Sequence, residues 1–114
     1  MTYYNGSRNE ALTFFSGICF TECEQSAATY GEHVAAVKID RSRLSMQTIT
    51  MTGDELEQAI DNQEWPCDRQ RDIDAAIAAG YDAVQFADCD ERGQTHGCVR
   101  ILTQAAWNAA VSVV

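Results

Sequence analysis

A membrane span is missing from this chain: no apolar run approaches the roughly 20 residues that a bilayer-crossing helix needs. The first residues hold no basic stretch followed by an apolar one, the pattern of a secretory leader, so the expected location is the cytoplasm. Positive charge is scarce as well. Eight Lys and Arg stand against 17 Asp and Glu, a formal net charge of -9. The basic clusters Arg41-Ser42-Arg43 and Arg69-Gln70-Arg71 are short and flanked by acids. A nucleic-acid binder needs a cationic footprint to displace counterions from phosphate, so no direct nucleic-acid substrate is expected. An acidic surface serves solubility, or encounter with a basic protein partner.

Paired cysteines are lacking too. Cys19, Cys23, Cys67, Cys89 and Cys98 are odd in number, and without a secretion signal they read as reduced thiols, several of them buried. A metal site would have to group Cys89, His96 and Cys98, or Cys19 and Cys23. Neither set has the C-x-x-C spacing of a structural zinc site, so no metal is expected. Low-complexity runs, repeats and linkers are absent. What is there is 114 residues, 46% of them hydrophobic, which reads as a single domain over 1–114 with a modest core.

Periodicity sets the expected elements. Thr2 to Asn5 reads as a strand and Gly17 to Thr21 as a second, buried one. Thr21 or Glu22 can cap a helix running to Tyr30, with Gly31 at its C-terminal turn. His33 to Asp40 reads as a third strand and Leu44 to Met51 as extended. Thr52-Gly53-Asp54-Glu55 is a capping-box signature for a helix with Leu56 and Ile60 on one face, broken near Trp65-Pro66. A helix over Asp68 to Ala79 places Ile73, Ala76 and Ile77 together before Gly80 stops it. Tyr81 to Ala87 and His96 to Leu102 read as late strands joined by a polar loop from Asp88 to Thr95. Ala105 to Val114 is a closing apolar segment that fits either type. Strands at both ends with helices between them predict an α+β domain.

Three segments carry a further signal: Asn5-Gly6-Ser7-Arg8, the block from Gly17-Ile18-Cys19-Phe20-Thr21-Glu22 to Ser26-Ala27-Ala28-Thr29-Tyr30, and Ala78-Ala79-Gly80-Tyr81-Asp82-Ala83-Val84. They resemble the ADP-ribosyltransferases, whose first strand ends in H-G-S or H-G-T and whose second reads like G-I-Y-F-A-D, with S-A and Y along the next helix. The block from Gly17 to Tyr30 fits the version in poly(ADP-ribose) polymerases without a gap. The third segment resembles the G-Y-D-A/G-V turn before the family's late strands. The ordered set is more specific than any one motif. The resemblance implies a compact mixed-sheet core with flanking helices and NAD as the bound cofactor.

NAD cleavage needs a fixed carboxamide, a sandwiched pyridinium and stabilised positive charge at the ribose. Under the resemblance, backbone at Gly6 would hold the carboxamide, Tyr30 would stack on the ring, Arg8 would neutralise the diphosphate, and Ser7 or Ser26 would bond ribose or amide. Each has a plainer reading: Tyr30 as the end of a core face, Gly6 as a turn, Arg8 as surface, Ser7 as a cap. The chain also departs from the pattern. Asn5 stands where the family has histidine, and can bond a hydroxyl but not titrate. Cys19 stands where it has a tyrosine, so a second wall would come from Phe20 or Tyr4. The late-strand glutamate position falls near His96 or Cys98, neither a carboxylate. A substitute acid would come from Asp88, Asp90 or Glu91. His96 would act as a base near neutral pH or be an edge-strand polar residue.

In this family, loss of the glutamate goes with mono rather than poly transfer, or with inactivity. The resemblance therefore implies transfer of one ADP-ribose to a protein target. Small, acidic versions resemble effectors of phages and other mobile elements, including anti-CRISPR transferases. The alternatives are an inactive relative that blocks a basic partner through its acidic surface, and a toxin-like enzyme that only hydrolyses NAD.

Overall fold

Short stretches of alternating β-branched, aromatic and small residues pair here into one seven-stranded sheet. The structure, a computed structural model, describes residues 2–16, 18–49, 54, 57–58, 61, 70–89 and 95–114. Its strands are β1 (Thr2–Ser7), β2 (Ile18–Thr21), β3 (His33–Ile39), β4 (Met46–Thr48), β5 (Ala83–Cys89), β6 (Thr95–Ile101) and β7 (Val111–Val113). The helices are α1 (Glu24–Ala28), α2 (Gln70–Ala78) and α3 (Gln104–Ala110), with a 3-10 turn at Arg41–Arg43. Across the sheet the order is β4-β5-β6-β2-β1-β3-β7. Only β4 and β5 run parallel among the described pairs. The expected mixture of strands and helices is present, as a mixed α/β domain.

Pleating sends alternate side chains to opposite faces, and each face has its own core. On one, Tyr3, Phe20, Val37, Val99 and Ile101 pack with Ala106 of α3 and the partly buried Trp107. The Trp107 ring lies 5.8 Å from Phe14 and 5.9 Å from Phe20, tilted as aromatic pairs prefer. α3 starts where it does because the Thr103 hydroxyl accepts the Ala106 N–H at 3.1 Å. On the other face, Val84, Phe86 and Cys98 pack with Ile73 and Ala76 of α2. That helix stops at Gly80, with φ of 87°. Gly80 N–H donates to the Ile77 carbonyl and Tyr81 N–H to the Ala76 carbonyl, both at 3.0 Å, closing a left-handed C-terminal turn that favours glycine.

Several expectations change. α1 ends at Ala28, short of Tyr30, and its cap position is Cys23. Thr21 is still in β2, where its hydroxyl accepts the Cys23 N–H at 3.2 Å instead of capping the helix. Ile77, expected beside Ile73 and Ala76, is 40% exposed in the last turn of α2, where the chain leaves the helix. β5 and β6 extend to Cys89 and Thr95, so the loop between them is shorter than expected. The closing segment divides into α3 and β7, the latter pairing with β3 as Val37↔Val113 and Ile39↔Val111. Most of the expected capping-box helix after Thr52, and its break at Trp65-Pro66, lie outside the described residues.

One feature of the sheet positions the candidate site. β1 pairs with β3 along its whole length, from Thr2↔Lys38 to Ser7↔His33. Its ladder with β2 is recorded at Tyr4↔Thr21. Beyond that position the Asn5 side-chain amide donates to the Cys19 carbonyl at 2.9 Å, so a side chain bridges the two strands.

Candidate functional site

The site is built where α1 presses on the end of β1. A Cβ on Gly6 would lie 1.8 Å from the Ala27 carbonyl oxygen, and one on Gly31 would lie 2.4 Å from the Ser7 backbone. Glycine at both positions therefore lets main chain touch main chain. This contact sets Tyr30 and Arg8 side by side. They line a shallow depression of about 570 Å³ together with Ala28, Thr29, Gly31 and Glu32. A cleft of about 260 Å³ lies nearby, lined by residues including Asn5, Ser7, Glu10, Glu32 and His33.

Tyr30 is 41% exposed, yet its hydroxyl is anchored. The Tyr30 oxygen lies 3.0 Å from His96 Nε2, and His96 Nδ1 lies 2.7 Å from Thr21 Oγ1. The Cys98 sulfur is 3.2 Å from the same Nδ1. The Tyr30 and His96 rings meet edge to face at 6.0 Å. His96 is only 7% exposed and Thr21 4%, so this polar cluster is sealed on its inner side and opens to solvent through Tyr30.

The residues expected at a site thus divide. Tyr30, Arg8 and His96 fall together around the depression, with Arg8 and Tyr30 on its lining. Asn5 and Ser7 face the neighbouring cleft; Asn5 bonds Cys19, and the Ser7 hydroxyl accepts the Asn9 N–H at 3.0 Å. Gly6 has its open side filled by Ala27, the packing reading of that glycine. Phe20 and Ser26 are fully buried and present no surface to a ligand. The alternation Ile18, Phe20 along β2 places Phe20 in the core, and Ser26 is on the buried side of α1 with Ala27. Tyr4 is partly buried, opposite Thr21 and Ala36 in the sheet. Asp88 pairs with His96 in the β5–β6 ladder; Asp90 and Glu91 lie outside the described residues.

Two carboxylates not singled out by sequence reasoning are near these strands. Glu32 lines the depression with Arg8 and Tyr30, with its side chain 81% exposed and 3.6 Å from His33 Nε2. It lies one residue past Gly31 and reaches the depression only through the Gly31 contact with Ser7, which no sequence signal marked. Glu22 lies against Gly97, its carboxylate 3.5 Å from where a Gly97 Cβ would be. Gly97 is the strand position between His96 and Cys98, and it faces away from both.

A depression with an exposed aromatic face, a guanidinium and a carboxylate can stack a flat cation, neutralise an anion and stabilise developing positive charge. Cys19, Cys23 and Cys98 are thiols, Cys98 buried. Among the described residues no group of three or more His, Cys, Asp and Glu could hold a metal ion. No described helix is long and apolar enough to cross a membrane. No family model, curated protein or solved structure matches the chain.

Proposed function

We propose that the chain is an ADP-ribosyltransferase-like domain that binds NAD and transfers a single ADP-ribose to a protein target, as an effector that disables a host defence complex. The observation that carries this reading is the shared lining of one depression by Arg8, Tyr30 and Glu32. The two motif segments come from β1 and from the end of α1, and their contact through Gly6 and Gly31 puts them at one place.

NAD would supply an ADP-ribosyl group: its bond to nicotinamide would break with the electron pair leaving on nicotinamide, while a target side chain would bond the ribose carbon and lose its proton to water. Tyr30 offers the ring face that attracts a cationic pyridinium. Arg8 offers a guanidinium to a diphosphate. Glu32, on the same lining, would supply the carboxylate that the late strand lacks and stabilise positive charge developing at the ribose. Asn5 and Ser7 hold the adjacent cleft. Without a glutamate at the late-strand position near His96 or Cys98, transfer of one unit is favoured over polymer growth.

Nicotinamide release from NAD by the pure chain, with and without cell extract, tests the reading, together with the mass of modified proteins. Tyr30→Ala should weaken NAD binding by about 1 to 3 kcal/mol in calorimetry if stacking is the anchor. Unchanged affinity in a folded variant removes Tyr30 from the site.

A second reading has its own support. Asn5 spends its amide on Cys19 and Gly6 is covered by Ala27, so both first-motif residues serve packing. That favours an inactive relative that blocks a basic partner. A blocker inhibits only at equimolar amounts, without NAD and without adding mass to its target; a transferase acts substoichiometrically and leaves one ADP-ribose mass.

A further inference from the structure

We propose that Thr21 and His96 are positioning residues for Tyr30, forming a relay from the end of β2 through β6 to the exposed phenol. The proposal rests on the reading of the Arg8 and Tyr30 depression as the NAD site. It names two residues that serve the site without touching the ligand.

Thr21 Oγ1 already accepts the Cys23 N–H at 3.2 Å, and the residue is buried. Its hydroxyl proton needs an acceptor, because a buried donor left unpaired is costly. Among the described residues that acceptor is His96 Nδ1, 2.7 Å away. In a neutral imidazole one nitrogen accepts and the other carries the proton. With Nδ1 accepting, Nε2 carries it and donates to the Tyr30 oxygen at 3.0 Å. The accepting Nδ1 has one lone pair, which the nearer Thr21 hydroxyl takes; the Cys98 sulfur, 3.2 Å from the same atom, packs against it.

Two consequences follow from the direction of this chain of bonds. Tyr30 is an acceptor toward His96, so its own proton serves another acceptor. The phenol is held at its oxygen, from beneath, while part of its ring stays exposed to the depression. His96 has both ring nitrogens engaged inside the fold, which makes it a positioning residue and not a base in contact with substrate. The local sequence explains the geometry. Thr21 ends β2 opposite Cys98, and two residues further back along β6 His96 shares the sheet face of Cys98. A hydroxyl on β2 and an imidazole on β6 thus meet under Tyr30, two residues past the end of α1.

Nitrogen-proton correlation NMR of the full chain with 15N-labelled histidine, recorded without ligand, reads the tautomer directly, with the partly exposed His33 as the internal comparison. A proton on His96 Nε2 is expected; a proton on Nδ1 overturns the relay. Thr21→Val then removes the hydroxyl at nearly constant shape, and Thr21→Ser restores it. NAD affinity should fall about fivefold in Thr21→Val and recover in Thr21→Ser. In a Tyr30→Phe background, Thr21→Val should cause no further loss, because the end of the relay is already gone. Equal losses in both backgrounds would mean that Thr21 does not act through Tyr30, and would sink the proposal. A wild-type chain that binds no NAD overturns the proposed function, and the ligand-free tautomer still decides the relay.

Discussion

Gly6 and Gly31 show how much one missing methyl group sets at the residue scale. Each allows backbone to lie on backbone, and together they bring Tyr30 beside Arg8. Gly6→Ala would place a Cβ 1.8 Å from a carbonyl oxygen, so α1 must shift off β1. We expect a loss of about 3 kcal/mol, the upper end of ordinary overpacking, because the obstacle is main chain and cannot rotate away. Urea denaturation checks it: an unchanged midpoint would show that α1 relocates without cost. The motif resemblance marked Tyr30 and Arg8 as candidates. It did not mark Glu32, which lies beyond the motif and joins the site only through the Gly31 contact. Nor did it separate Phe20 from a ligand wall, although its shared parity with Ile18 assigns it to the core face.

At the element scale, ends were harder to read than centres. α2 ends at Gly80 as its glycine predicts, because a left-handed turn is a local property. The start of α1 is not local: Thr21 is held in β2 by pairing with Cys98 and Tyr4, so the cap moves to Cys23. The turn after β3 carries a testable pH dependence. Asp40 accepts from the Ser42 hydroxyl and N–H and lies 3.3 Å from Arg43 Nε. The Ser42 hydroxyl, helped by its N–H and by the Arg43 charge, holds the Asp40 carboxyl below its usual range. A folded value below the unfolded one means that the ionised form favours the fold. That contribution is present above the unfolded value of about 3.9 and lost as pH falls through the folded one. Asp40→Ala should therefore be slightly less stable than wild type at pH 7, with the gap closing in acid. Thermal melts across pH 2 to 7 measure it, on the scale over which carboxylates titrate; a gap that widens in acid would contradict the assignment.

Net charge is a property of the whole molecule. At -9 the chain carries a field that attracts basic partners at long range. Association with such a target should weaken steadily with added salt, since exposed charges are screened over about 8 Å at physiological ionic strength. Fluorescence anisotropy over a salt series checks this, and a salt-independent affinity would point to apolar contacts instead. The sheet order is likewise a global outcome. β6 pairs with β2 and β7 with β3, so two of the ladders join segments that are distant in sequence.

By itself the sequence determined the strand-forming stretches other than β7, the stop of α2, the acidic surface and the α+β mixture, all of which follow from side-chain volume, periodicity and charge within a few residues. Only the tertiary structure decided that Thr21, Tyr30 and His96 meet, the last two 66 residues apart, and that Glu32 joins Arg8. The physical reason is that strand pairing and main-chain contact depend on which distant segments bury each other's surfaces, a choice made by the whole chain and written in no single segment of it.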